Sequence, residues 1–138
     1  FTLKNYFIGL ALQGRDIQVY GDGSQLRNAL YVDDAVSAIV MAVVNDGIDG
    51  ETLFAAHDEH YSVAEIAQAT VKCMGAGRVK FVKWPPGRRE TDMGDAIISN
   101  RKIRKALGWK PVTGLVDGLV KTRDYYRPCL DHYLRGDS

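Results

Sequence analysis

The stretch YGDGSQLRNALYVDD, residues 20–34, joins a glycine-rich turn to the start of a helix. Its Gly-Asp-Gly, residues 21–23, predicts a tight turn, because glycine tolerates positive φ and aspartate hydrogen-bonds its own backbone nearby. The apolar residues 30–32 predict a short strand, and Asp33 or Asp34 stands where a helix N-cap is expected. The stretch therefore predicts a turn, a strand and a helix in quick succession.

Arg27 is the one lysine or arginine between Arg15 and Lys72. A turn of this kind can hold a guanidinium at the edge of a cleft, where its planar donors grip a phosphate through two hydrogen bonds. Spacing alone also allows a β-turn followed by a surface arginine, because an isolated Gly-x-Gly carries little information. Arg27 is thus a candidate anion ligand that a second motif has to support.

The composition is that of an ordinary soluble globular domain. Of the 138 residues 46% are hydrophobic and 25% are charged, and the net charge is +1. No overall field favours nucleic acid or an anionic membrane, and no apolar run approaches the roughly 20 residues that cross a bilayer. The expected location is the cytoplasm. Cys73 and Cys129 make no disulfide framework, and His57 with His60 lacks a third zinc ligand.

Hydrophobic spacing predicts a small α/β layer in which helices outnumber short strands. A helix is predicted from Leu3 until Gly14 ends it, and the helix after Asp34 carries an apolar stripe at helical spacing. The stripe consists of Val36, Ile39, Val40 and Val43. Further strands are predicted at residues 17–20, 51–56 and 79–84. The full βαβαβ nucleotide-binding fold is not expected.

The clearest helix start is Ser62, because Glu65 follows three residues later and completes a capping box. Gly75 is expected to end this helix. Two more helices are predicted in the C-terminal half, one capped by Asn100 and closed by Gly108, the other running from Leu115 to Tyr126 after a cap-like Thr113. Pro128 is expected to bend or end the last helix, which leaves residues 128–138 as a tail that we predict to be frayed.

A second charged motif lies in the loop that Pro85, Pro86 and Gly87 open. The loop contains Arg88, Arg89, Asp92 and Asp95, and the sequence KIRKALGW follows at residues 102–109. Taken alone, such a loop is more often a solvated cluster of charge.

Together the two motifs resemble those of the extended short-chain dehydrogenase/reductase family, the nucleotide-sugar epimerases and dehydratases. The first is similar to the family's G-D-G-x-Q-x-R-D-x-x-x-V-x-D block, with Asn28, Ala29 and Leu30 in place of the usual Asp-Phe-Val. The second is similar to an R-K-x-x-D-x-G-D pattern, or to R-x-G-D, ahead of K-x-x-x-x-L-G-W. The resemblance covers roughly residues 3–126 and implies the C-terminal substrate-binding part of such an enzyme.

The resemblance implies a site for a nucleoside diphosphate sugar. Two arginines from different loops, Arg27 and one of the loop pair, would clamp the pyrophosphate, and one aspartate would accept from ribose hydroxyls. The choice between Arg88 and Arg89, and between Asp92 and Asp95, stays open. The base would lie against Gln18, Val19 and Tyr20. Residues 1–127 would form this domain, a small mixed α/β lobe without the N-terminal Rossmann half.

Two parts of the family's machinery are not found in this sequence. The family's dinucleotide site is an N-terminal Gly-x-x-Gly-x-x-Gly turn, and its catalytic pair is Tyr-x-x-x-Lys; neither motif occurs here. The intact enzyme would use NAD, whereas we expect this chain alone to bind no cofactor, to contain no catalytic residue and to need the Rossmann half as a partner. The first residues already have helical spacing, which suggests a piece of a longer protein.

A second hypothesis is a stand-alone, non-catalytic module that binds a nucleotide sugar or a protein. Apolar surface that a missing domain would cover favours association, so a homodimer is plausible under this hypothesis. A third hypothesis is nucleic-acid binding through Lys80, Lys83, the loop arginines and residues 101–105, and we predict no such binding. The base, the sugar and the choice between epimerase and dehydratase are not determined by the sequence.

Overall fold

A computed structural model describes residues 2–134, which form six α-helices and four β-strands. The helices are α1 (Leu3–Leu12), α2 (Val32–Val43), α3 (Val63–Met74), α4 (Arg101–Leu107), α5 (Leu115–Tyr126) and α6 (Leu130–Leu134). The strands are β1 (Ile17–Tyr20), β2 (Leu26–Asn28), β3 (His60–Ser62) and β4 (Val79–Val82). The predicted small mixed α/β fold is confirmed.

The strands pair into two separate two-stranded sheets. Strands β1 and β4 are parallel, with Tyr20 opposite Val82 at their carboxyl ends. Strands β2 and β3 are antiparallel, with Arg27 opposite Tyr61. The parallel pair matters for function, because parallel strands end at the same edge and bring the segments that follow them side by side.

Two predicted strands are wrong. Residues 51–56 form no strand, because Leu53 and Ala55 alternate only to pack against a small hydrophobic cluster and have no neighbouring strand to bond. Residues 30–32 are also not a strand, since α2 already begins at Val32. The strand in this region lies earlier, at Leu26–Asn28. Apolar side chains that serve packing were therefore mistaken for strand residues.

The main core lies between α1, β1, α3 and α5. Phe7, Ile17, Val19 and Ile66 are almost completely buried there. Helix α3 enters this core as predicted: Glu65 N donates to Ser62 Oγ (3.1 Å) and Ser62 N donates to the Glu65 carboxylate (2.8 Å). Its last turn closes at a left-handed Gly75, which confirms both predicted ends of the helix.

The predicted aspartate cap of α2 is wrong. Tyr31 occupies the N-cap position, and Asp34 lies inside the first turn, where a carboxylate favours the positive end of the helix dipole. The Asp34 carboxylate is buried and accepts hydrogen bonds from the backbone N–H of Val112 (3.1 Å) and Thr113 (2.9 Å). Asp34 thus joins α2 to the segment before α5.

The other two predicted caps also have different partners. Gly114, not Thr113, occupies the N-cap position of α5, and the bounds of that helix are as predicted. Asn100 does stand at the N-cap of α4, but its side chain makes no capping bond. Instead its amide nitrogen donates to Ala56 O and to the Asp58 carboxylate, both at 2.9 Å, and so joins the start of α4 to residues 56–58.

Helix α2 is present as predicted, but its apolar stripe faces outward. Val36, Ile39, Val40 and Val43 are between 52% and 78% exposed. On the opposite face of the helix, Ala38 packs in a second hydrophobic cluster with Ile103 of α4 and Trp109. The residues described here therefore leave the more apolar face of α2 uncovered.

The C-terminal segment continues after α5 with a 3₁₀ turn at Arg127–Cys129 and then α6. The frayed tail that the sequence predicts from residue 128 is therefore helical at residues 130–134, and residues 135–138 lie outside the described range. The division of the chain after residue 127 stays a prediction.

Replacing the buried Asp34 tests how strongly α2 depends on its cross-chain bonds. We expect Asp34→Ala to lower the free energy of unfolding by about 1–3 kcal/mol, because the buried N–H of Thr113 and the more exposed N–H of Val112 lose their acceptor. Denaturant unfolding followed by circular dichroism measures this change. The matched control is Asp33→Ala, an exposed neighbour in the same helical turn. Equal losses for the two variants would contradict the role given to Asp34.

Candidate functional site

A cleft of about 330 Å³ opens between α1, the carboxyl end of β1, β2 and the loop after β4. Six of the eight residues predicted from the sequence line it, namely Gln18, Val19, Tyr20, Arg27, Arg88 and Asp92. The cleft is lined by neither Arg89 nor Asp95. The two sequence motifs therefore meet in space, although they lie far apart along the chain.

The Gly-Asp-Gly turn needs both glycines because other parts of the chain approach it closely. Gly21 has φ +65°, and a Cβ there would lie 2.7 Å from Nε1 of Trp84. Gly23 has φ +68°, and a Cβ there would lie 2.5 Å from Cγ1 of Val19. Left-handed backbone and missing space both exclude a side chain at these positions. The turn is thereby packed directly against the floor of the cleft.

Asp22 holds the turn in shape. Its carboxylate accepts hydrogen bonds from Ser24 N (3.0 Å) and Ser24 Oγ (2.8 Å). The bond from the Ser24 backbone is the main reason why the pKa of Asp22 is lowered, and the positive charge of Arg89 contributes to the same shift. Arg89 is thus close enough to the turn to contribute to this shift, although it does not line the cleft.

Arg27 is fixed by the protein itself. Its Nη1 donates to Leu26 O (2.8 Å) and to Gly94 O (2.5 Å), and its Nη2 lies 3.9 Å from the Asp92 carboxylate. Its side chain is 21% exposed. The guanidinium is thus oriented before any ligand binds, and it also fastens the charged loop to β2.

Asp95 and Asp92 have different positions in that loop. The Asp95 carboxylate accepts from Leu26 N (2.8 Å), and the next residue, Ala96, donates to Leu26 O (2.9 Å) and forms a parallel bridge with Arg27. Asp95 therefore attaches the loop to β2. Asp92 lines the cleft instead, where a carboxylate oxygen can accept from a ligand hydroxyl.

An aromatic pair closes one wall of the cleft. The rings of Tyr20 and Trp84 have centroids 5.4 Å apart and planes inclined by 39°. Both residues are half-buried, and both line the cleft. The sequence analysis did not predict Trp84 as a site residue; the available signal was the pair of strands, since a tryptophan just after β4 necessarily comes close to the end of β1.

Asn28 explains one departure from the family pattern. Its amide donates to His57 O (2.8 Å), and its side-chain oxygen accepts from Ile98 N (2.6 Å). An ionised aspartate could only accept, so it could not make the first bond. Lys4 of α1 adds a bond from Nζ to the Asn28 carbonyl (2.7 Å), and burial lowers the pKa of this lysine. Asn28 thus ties together the loops beneath the cleft.

Within residues 2–134, no group of three or more His, Cys, Asp and Glu side chains is arranged to hold a metal ion. Over the same range no helix has the length and apolarity needed to cross a membrane. The candidate site is therefore the cleft and its arginines.

Comparison with known proteins gives a consistent result. The family described as GDP-mannose 4,6 dehydratase matches residues 5–122. UDP-glucuronic acid decarboxylase 1 from Xenopus tropicalis is 35% identical over 130 residues, which cover 91% of this chain and 29% of that protein. The chain thus spans less than a third of that relative's length.

Two solved structures have the same fold over their matched part. An epimerase from Methanothermobacter thermautotrophicus superposes with a TM-score of 0.88 at 18% identity, covering 99% of this chain and 40% of that one. UDP-glucuronic acid 4-epimerase from Bacillus cereus, in complex with UDP-glucuronic acid and NAD, gives 0.77 at 26% identity, with 92% and 40% coverage. Each match covers most of this chain and well under half of the larger protein.

The titration of Asp22 tests the turn directly. Because its folded-state pKa is lowered, the ionised form stabilises the turn above the ordinary aspartate value of 3.8, and this contribution is lost as the pH falls through the lowered pKa. We expect the Ser24 amide resonance to titrate with a midpoint below 3.8. Asp22→Asn is the control and should abolish that titration. A midpoint at or above the ordinary value contradicts the bonding described for Asp22.

Proposed function

This chain belongs to the extended short-chain dehydrogenase/reductase family, and we propose that it forms the part that binds a nucleoside diphosphate sugar in an NAD-dependent epimerase or dehydratase. The observation that carries the proposal is the meeting of both sequence motifs in one cleft. The volume of about 330 Å³ lies within the usual range of small-molecule pockets. The relatives include nucleotide-sugar decarboxylases, dehydratases and epimerases.

The charges in the cleft suit a pyrophosphate. Arg27, held by the carbonyls of Leu26 and Gly94, supplies a pre-oriented guanidinium, and the exposed Arg88 supplies a second one in the lining of the same cleft. Charge-assisted bonds from two arginines match the two negative charges of a pyrophosphate. The Asp92 carboxylate accepts from Gly94 N (3.1 Å) and lies 3.9 Å from Arg27 Nη2, and its remaining lone pairs can accept from a ribose hydroxyl. We therefore propose Arg88 rather than Arg89 as the second pyrophosphate ligand, and Asp92 rather than Asp95 as the acceptor for the ribose hydroxyl.

NAD belongs to the intact enzyme under this proposal. We expect this chain alone not to bind the cofactor, because the sequence contains no Gly-x-x-Gly-x-x-Gly turn. It also supplies no Tyr-x-x-x-Lys pair that would move a proton at the sugar. The chain's own residues would bind and orient the substrate, and binding far from the reacting carbon positions that carbon for the chemistry. We expect the isolated chain to show no turnover.

The uncovered stripe of α2 supports a partner for this chain. Its four valine and isoleucine side chains point to solvent, and no charged residue lies between Asp34 and Asp46. Burial of such a face is favourable by about 25 cal/mol per Å². We propose that a dinucleotide-binding half covers it, so that substrate and cofactor are held by two different lobes.

The same stripe favours a second candidate function, a stand-alone binding module that pairs through α2. In this alternative the apolar face is covered by a second copy of the chain, and the cleft binds a nucleotide sugar without catalysis. The two candidates differ in what covers α2 and agree on what the cleft binds.

Calorimetric titration with UDP-, dTDP-, CDP- and GDP-sugars tests the binding proposal, with NAD as the comparison ligand. We expect one nucleotide class to bind and NAD not to bind. Arg27→Ala and Arg88→Ala should each weaken binding by about 1.5–3 kcal/mol, the scale of a charge-assisted hydrogen bond. Arg88→Ala is the cleaner variant, because Arg27 also secures the loop.

The matched control is Arg101→Ala, an exposed arginine at the start of α4 outside the cleft. It should leave the dissociation constant unchanged. If every nucleotide sugar fails to bind, or if Arg88→Ala binds as tightly as the parent chain, the proposed role of the cleft is wrong.

Charged substitutions in the stripe test the role of α2. Ile39→Lys combined with Val43→Lys should abolish any concentration-dependent association seen by sedimentation, because lysine ammonium groups resist burial. Val112→Lys is the control, since this valine is equally exposed but lies outside the stripe. A parent chain that stays monomeric counts against the homodimer. If the double-lysine variant still associates, the association uses a surface other than the stripe of α2.

A further inference from the structure

Trp84 occupies a position that the family motifs do not include. It follows β4 by two residues and reaches back over the Gly-Asp-Gly turn to contact Tyr20 at the end of β1. The contact exists because β1 and β4 are parallel and in register up to Tyr20 and Val82. It also requires Gly21, since a Cβ there would lie 2.7 Å from Trp84 Nε1.

The geometry of the pair decides how a planar ligand can use it. A flat ring placed between two aromatic side chains needs their planes about 7 Å apart, twice a van der Waals contact. The Tyr20 and Trp84 centroids are 5.4 Å apart and the rings are tilted, so nothing can enter between them. One ring therefore braces the other, and a ligand ring can stack only on an outer face of the pair.

The cleft also has a chemical polarity. Its lining includes the Tyr20–Trp84 pair, with Tyr6 and Phe7 of α1, and the charged side chains of Arg27, Arg88 and Asp92. The backbone leads from each aromatic residue to an arginine: from Tyr20 through the glycine turn to Arg27, and from Trp84 through residues 85–87 to Arg88. A ligand with a flat aromatic end and an anionic end matches this arrangement, and nucleotides have that form.

We propose that Trp84, braced by Tyr20, is the stacking surface for the nucleobase, an inference that rests on the proposed binding of a nucleoside diphosphate sugar. Base stacking on an aromatic side chain is tolerant of sequence, because every base has a π face. Trp84 therefore supplies affinity for the base as such. Discrimination between one base and another then comes from hydrogen-bonding groups in the cleft, such as the Gln18 carboxamide.

The test compares ligands with and without a base. UDP, dTDP and GDP carry the anionic end and a base, whereas inorganic pyrophosphate carries only the anionic end. We expect Trp84→Ala to raise the dissociation constant of the tightest of the three nucleotides about tenfold or more and to leave that of pyrophosphate unchanged. Trp84→Phe keeps a stacking surface and should stay within about threefold of the parent.

Tryptophan fluorescence gives a second readout. The chain has two tryptophans, and Trp109 is buried with its Nε1 bonded to Ser37, away from the cleft. Nucleotide binding should quench the emission of the parent chain and leave that of Trp84→Phe unchanged, while pyrophosphate should quench neither protein.

The possible outcomes separate this inference from the proposed function. If Trp84→Ala binds nucleotide as tightly as the parent while Arg88→Ala does not, the stacking role is wrong and the cleft remains a nucleotide site. If Trp84→Ala weakens nucleotide and pyrophosphate equally, Trp84 only shapes the cleft, and the inference is again wrong. If neither ligand binds the parent chain, the proposed function fails and the stacking role fails with it.

Discussion

The site depends on the attachment of one loop to one short strand. Strand β2 is only three residues long, yet Leu26 bonds the loop through both its N–H and its carbonyl, and Arg27 bonds it through a guanidinium nitrogen. These contacts join residues nearly seventy positions apart. Without them the loop arginines and aspartates would be a solvated cluster of charge, as the loop sequence taken alone suggests. With them, Arg88 and Asp92 line the same cleft as Arg27.

Features that depend on near neighbours could be predicted from the sequence. The capping box at Ser62, the glycine that ends α3 and the bounds of β1 and α5 all follow from residues a few positions apart, and they are as expected. The family pattern also selected six of the residues that line the cleft. What these residues bind is a separate matter that only measurement decides.

Features that depend on distant partners could not be predicted in the same way. Asp34 has the chemistry of an N-cap, but its acceptor oxygens are used by Val112 and Thr113 across the fold. Leu53 and Ala55 alternate like strand residues while they pack in a cluster. Trp84 becomes a neighbour of Tyr20 only through the pairing of β1 with β4. In each case the sequence indicates correctly whether the side chain is polar or apolar. It does not indicate the partner, because the partner lies far away along the chain.

The two hydrophobic clusters imply two levels of local stability. The larger one joins α1, β1, α3 and α5, whereas the smaller one rests on Ala38, Ile103 and Trp109 and carries α2 and α4. Elements with little buried apolar surface open by local unfolding at lower free energy than the rest of a domain. The amides of α2 and α4 should therefore exchange with solvent through partial openings in which α1 and α3 remain folded. A polypeptide that covered α2 would slow the hydrogen exchange of these amides. Because it would bind away from the cleft, association would make α2 and α4 more rigid and leave the nucleotide contacts unchanged.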